Sequence, residues 1–236
     1  MEKKKQNRRP FFRFVKVIAR LIVKKPKLEY LGETPESTCI YLSNHSGASG
    51  PANLELYLPA QFRMWGTHEM CGKLKDRWRY LNYTYYGQKK KKSKFMCFVL
   101  ATVLTPILSM VYKGLQIIPT YPDQRLSKSI RISIEEFEMN RSVLIYPENS
   151  SDGYHDVLKQ FHPGFWYLAK RYYEKTGKDI QICNMYFHRQ SKRIVVGKPR
   201  FFSHLKEFIK TKEEAAKYFL DDTNNIYFNH ILENKE

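Results

Sequence analysis

Between Phe95 and Tyr112 the chain runs eighteen residues without a charge, directly after Lys89-Lys90-Lys91-Lys92-Ser93-Lys94. Such a segment has to be covered, either by a protein core or by lipid. As a helix it would rise about 27 Å, just short of a bilayer's hydrocarbon core. Pro106 interrupts it. The reading taken is a buried or half-inserted helix with a lysine collar at the headgroups, and a complete span is the alternative.

A second segment has related character. Phe11, Phe12, Val15, Ile18, Leu21 and Ile22 recur at helical steps, with Lys16, Arg20, Lys24 and Lys25 mostly on the other side. Residues 1–28 therefore read as a basic amphipathic helix. It suits an anionic membrane surface or a place against the protein's own core. The patch is short and broken by Lys16, Arg20 and Lys24, so no cleavable signal is expected. The formal charge of +18 fits a polyanionic partner, whether membrane surface, phosphorylated substrate or nucleic acid.

Residues 29–236 read as one α/β domain with a mixed central sheet flanked by helices, because short apolar runs alternate with helical spacings. Strands are expected at 36–43, 61–67, 115–119, 142–146, 180–187 and 193–196. Helices are expected at 52–58, 126–140, 163–173 and 204–220, with an aromatic-rich helical or irregular stretch from Glu69 to Gly87. Cys39, Cys71, Cys97 and Cys183 have neither metal-ligand spacing nor a disulfide pattern, so reduced thiols in a cytoplasmic setting are expected. The histidines His68, His155, His162, His188, His204 and His230 show no metal spacing either.

Three strand exits carry polar chemistry: Ser43-Asn44-His45; Gly114-Leu115-Gln116-Ile117-Ile118-Pro119; and Leu144-Ile145-Tyr146-Pro147-Glu148. Farther on lie Leu158-Lys159-Gln160-Phe161-His162-Pro163-Gly164 and Val196-Gly197-Lys198-Pro199. In order and spacing, over about residues 36–200, these resemble the lysophosphatidate acyltransferase family of glycerolipid acyltransferases. The resemblance implies a glycerolipid-acyltransferase-like fold at the cytoplasmic face of a membrane. It also implies transfer of a fatty acyl group from acyl-CoA or acyl carrier protein to a lysophospholipid or related lipid acceptor. His45 would be the general base, a task that suits an imidazole titrating near neutral pH. Neither a metal nor a tightly bound cofactor is implied.

The chain departs from the family pattern in three places. The family aspartate five residues after the histidine is Gly50 here, the Gly-Thr-Arg after the glutamate is Asn149-Ser150-Ser151, and no arginine follows Pro119 directly. Glu148 is the expected replacement carboxylate, ahead of Glu55 and Asp152. Restoring an aspartate by Gly50→Asp is expected to raise activity if its loss is the limitation. Asn44, Ser46, Ser49, Asn149, Ser150 and Ser151 are candidate substrate contacts. Arg125, Lys128 and Lys159, with Arg131, are candidate phosphate ligands. A covalent role for Ser49 would need the full Gly-x-Ser-x-Gly elbow, and Pro51 stands at its last position. One alternative is a catalytically degenerate lipid- or acyl-binding protein of the same fold. A basic nucleic-acid-binding protein is the other, but no such module appears, so no nucleic-acid partner is expected.

Overall fold

The centre of the sheet is β2 (Cys39–Ser43), buried at every position. Its alternate side chains serve opposite layers. Ile40 and Leu42 enter a core with Phe165, Leu168 and Phe219, while Cys39 and Tyr41 enter a second core with Leu54 and Leu58. Burial on both faces explains why these strands read as continuous apolar runs. The computed structural model describes residues 10–36, 38–149 and 153–232.

Beside β2 lie β5 (Ser142–Ile145) and β6 (Gln181–His188), both parallel to it. On one side β3 (Phe62–Thr67) and β4 (Ile118–Thr120) continue the parallel array. On the other, β7 (Arg193–Val196) runs antiparallel to β6 and pairs in parallel with β1 (Lys27–Tyr30). The order is β1-β7-β6-β2-β5-β3-β4, and β8 (Arg200–Phe201) pairs antiparallel with β6. The result is a mixed eight-stranded sheet in one α/β domain, with nine α-helices among the described residues.

Helices α6 (Leu126–Glu138), α7 (Gly164–Thr176), α8 (Phe202–Phe208) and α9 (Lys212–Tyr227) cover one face, and α2 (Ser49–Tyr57) lies over the other. The expected single helix over 204–220 is broken at Ile209, and α9 restarts on a Thr211–Glu214 capping box. The segment 1–28 is also not one helix. Within its described part α1 covers Pro10–Ile22, and Lys27 and Leu28 belong to β1. Leu115, expected in a strand, closes a helix instead.

That helix, α5 (Lys94–Leu115), is long and apolar enough to cross a membrane by length and composition. Ser93 caps it by accepting from the Met96 N–H. Cys97, Ala101, Thr105, Ser109 and Gly114 form one buried stripe along it, while Phe95, Phe98, Val103, Ile107 and Met110 are exposed. The stripe packs on α3 (His68–Cys71), α4 (Leu74–Arg79) and a π-helical segment, Tyr80–Lys89. Near its end Phe12 of α1 lies so close that a Cβ on Gly114 would sit 2.4 Å from its ring.

Helix α1 buries Phe12 but leaves most of its apolar residues outside. Lys16 reaches inward to the Glu55 carboxylate and carbonyl, each at 2.8 Å, and the Arg20 guanidinium donates to the Leu56 carbonyl. Phe14, Val17, Ile18, Leu21 and Ile22 are left outside, Leu21 at 83% exposure.

Candidate functional site

β2, β5, β3 and β4 are parallel neighbours, so their carboxyl ends share one edge of the sheet. Open parallel sheets bind ligands at that edge. Ile40, Tyr41 and Leu42 face Val143, Leu144 and Ile145. His45 follows the end of β2 by two residues and Glu148 follows the end of β5 by three, so both leave the sheet at this edge.

The backbone turns sharply after His45, because Ser46 and Gly47 both adopt positive φ, 46° and 66°. Ser46 pays the small cost of a left-handed conformation, and Gly47 adopts it freely. The half-buried His45 ring lies between two tyrosines. Tyr154 stacks on it at 5.0 Å, and Tyr146 meets it tilted at 4.9 Å. Burial raises the Tyr146 hydroxyl well above its ordinary range, and the nearby charges of Glu55 and Glu148 push the same way. Tyr146 therefore stays protonated beside His45 and close to two carboxylates.

Glu148 is fixed through its backbone, which bridges to Phe161. The Asn149 N–H donates to the Gln160 carbonyl at 3.0 Å, and the His162 N–H donates to the Pro147 carbonyl at 2.7 Å. Asn224 pins the far side of this loop by bonding both backbone groups of Leu158.

Several predicted contacts serve the scaffold. The buried Asn44 amide donates to the Phe187 carbonyl at 2.9 Å and accepts from the Phe187 N–H at 2.8 Å. Its side chain thus extends the β2–β6 pairing and positions the strand exit rather than facing a ligand. The Asn149 side chain donates to Gln160. The Ser49 carbonyl accepts from Asn53 inside α2, while its hydroxyl is buried with no hydrogen-bond partner among the described residues. Arg125 is exposed and held by Asp123 at 2.7–3.0 Å, while Lys128 and Lys159 are exposed and do not line the cavity at His45. Arg131 pairs with Glu135 along its helix. Ser150, Ser151 and Asp152 lie outside the described residues.

The expected gain from Gly50→Asp does not survive the geometry. Gly50 sits in the first turn of α2, where a Cβ would lie 2.2 Å from the His45 carbonyl oxygen and 3.0 Å from its carbon. Backbone approaches backbone here, so no side chain fits without moving the histidine. A carboxylate serving His45 has to come from another element.

His45 lines a cavity of about 460 Å³, within the range of small-molecule sites. Phe12, Val15 and Ala19 of α1 and Leu104, Leu108 and Val111 of α5 form apolar walls. Lys16, Glu55, Thr67 and Tyr146 supply polar groups. Sequence reasoning missed Tyr146 and Tyr154 and ranked Glu55 low. Tyr146 could have been found as the residue leaving β5 just before Pro147-Glu148, whereas Tyr154 carries no local signal.

Among the described residues no group of three or more His, Cys, Asp or Glu side chains is placed to hold a metal ion. Among them, all four cysteines are free thiols. Compared with protein-family models and with curated proteins, the chain matches none.

Proposed function

We propose that this protein is an acyltransferase. It moves an acyl group from a thioester of coenzyme A or acyl carrier protein to a lysophospholipid or related lipid acceptor at an anionic membrane surface. One observation carries the reading: a histidine at a parallel-sheet edge, with the Tyr146 ring against it, lines an apolar cavity whose two helical walls expose apolar side chains outward.

In this mechanism His45 accepts the proton of the acceptor hydroxyl as its oxygen attacks the thioester carbonyl carbon. The carbonyl becomes an oxyanion, held by backbone N–H groups of the turn after His45. Its collapse breaks the C–S bond, and the departing thiolate takes the proton from His45. Glu148 orients the imidazole, the part played by the carboxylate of a catalytic triad. The apolar cavity houses the acyl chain. The outer faces of α1 and α5 rest in one leaflet, with α5 lying against the protein because its buried stripe runs the length of the helix.

The tight approach at Gly50 favours one second reading, a lipid-binding protein of this fold without turnover. Thioester release on anionic vesicles, with a panel of lysolipid acceptors, separates the two. The acyltransferase releases free thiol only when an acceptor is present, and His45→Ala abolishes the release. Equal rates in both proteins would remove His45 from the chemistry. Acyl-ligand binding without turnover on any acceptor would select the binding protein.

A further inference from the structure

A polar pocket of about 540 Å³ opens beside the apolar cavity, and Tyr80 lines both. It lies past β3 and β4, with His68 and Glu69 following one strand and Tyr121 the other. Most of its charges are already engaged. Asp123 holds Arg125, which also stacks on Tyr121 at 4.5 Å. Glu69 accepts from Thr67 and lies 3.0 Å from the His68 ring nitrogen.

Asp76 and Arg79 of α4 are different. Both are exposed and both line the pocket. Among the described residues neither side chain makes an ion pair or a hydrogen bond. Opposite charges three residues apart on a helix commonly close on each other. Here both remain available to the same space, beside the rings of Tyr80 and Tyr83.

We propose that this pocket receives a zwitterionic lipid headgroup, a phosphodiester bearing an ammonium. Arg79 meets the phosphate and Asp76 the ammonium, with a tyrosine face available to the cation. The acyl chain of the same molecule lies in the adjoining cavity. A purely anionic headgroup would satisfy Arg79 and leave Asp76 against like charge. The inference rests on the lipid reading of that cavity and narrows the acceptor to a zwitterionic lysophospholipid.

Binding without any acyl donor tests it. Lysophosphatidylethanolamine and lysophosphatidylglycerol of one chain length are titrated below their micellar concentrations into the full chain by calorimetry. The wild type is expected to bind the ethanolamine lipid about fivefold more tightly, the upper range of an exposed ion pair. Asp76→Asn is expected to erase that ratio, weakening the ethanolamine lipid and tightening the glycerol lipid. Arg79→Gln should weaken both lipids alike. Equal affinities in the wild type, or a ratio that persists in Asp76→Asn, would overturn the headgroup assignment alone. Binding of neither lipid would overturn the lipid reading of the cavity as well.

Discussion

Replacing Gly50 by alanine isolates the tight backbone contact between the start of α2 and the strand exit that carries His45. The added Cβ would fall 2.2 Å from the His45 carbonyl oxygen and 3.0 Å from its carbon, with the Asn44 oxygen at 3.5 Å. Ordinary van der Waals contact would need more than 1 Å of relief, and the obstacle is main chain rather than the end of a flexible side chain. Overpacking of this kind costs about 1–3 kcal/mol. Alanine gains at most about 1 kcal/mol over glycine inside a helix, and less in a first turn. The net expectation is a loss of about 1–2 kcal/mol, or a fall in Tm of roughly 2–8 °C for a chain of this size. Urea unfolding and a thermal scan measure it. The relief also has to displace the His45 carbonyl, so thioester release should drop in Gly50→Ala and in Gly50→Asp alike. A Gly50→Ala protein as stable as the wild type, or a Gly50→Asp protein with higher turnover, would refute this reasoning.

Asn44→Ala should cost about 2–3 kcal/mol in urea unfolding, because it strips both Phe187 backbone groups of their partner inside the sheet. An unchanged midpoint would contradict that role. Leu21→Glu together with Val103→Glu should weaken sedimentation with anionic vesicles by at least about tenfold if α1 and α5 face lipid as proposed, since both side chains are exposed apolar groups on those helices. Undiminished binding would place the membrane contact elsewhere. Arg193, with help from Lys27, holds the Glu29 carboxyl below its ordinary 4.5 in the folded protein. Because the folded value is depressed, its contribution is complete above pH 4.5 and is lost as the pH falls through the lower folded value. Unfolding free energy measured from pH 6 to pH 3 should therefore decline less steeply in Glu29→Gln than in the wild type.

Much of the scaffold is legible locally. β2, β3, β5 and β7 stand within a few residues of their expected places, because a strand buried on both faces announces itself as an apolar run. β1 escaped notice because Lys27-Leu28-Glu29-Tyr30 is half charged; it is a strand through its pairing with β7 and the Glu29–Arg193 contact. The direction α1 faces was also beyond the sequence. Helical periodicity defines an apolar stripe without saying what covers it, and the Lys16–Glu55 ion pair joins residues 39 positions apart.

Taken alone, the sequence determined that the chain is an α/β domain with two apolar helical segments and a histidine at a strand exit. Composition, periodicity and turn residues act over a few neighbours and suffice for that much. Only the tertiary structure decided which groups share the space around that histidine. Parallel pairing of β2 with β5 brought the strand exits of His45 and Glu148 to one sheet edge, and packing brought Tyr146 and Tyr154 onto the histidine ring. Close backbone approach reserved position 50 for glycine. Those are contacts between residues far apart in the chain, fixed by strand order and helix packing, and no local pattern encodes them.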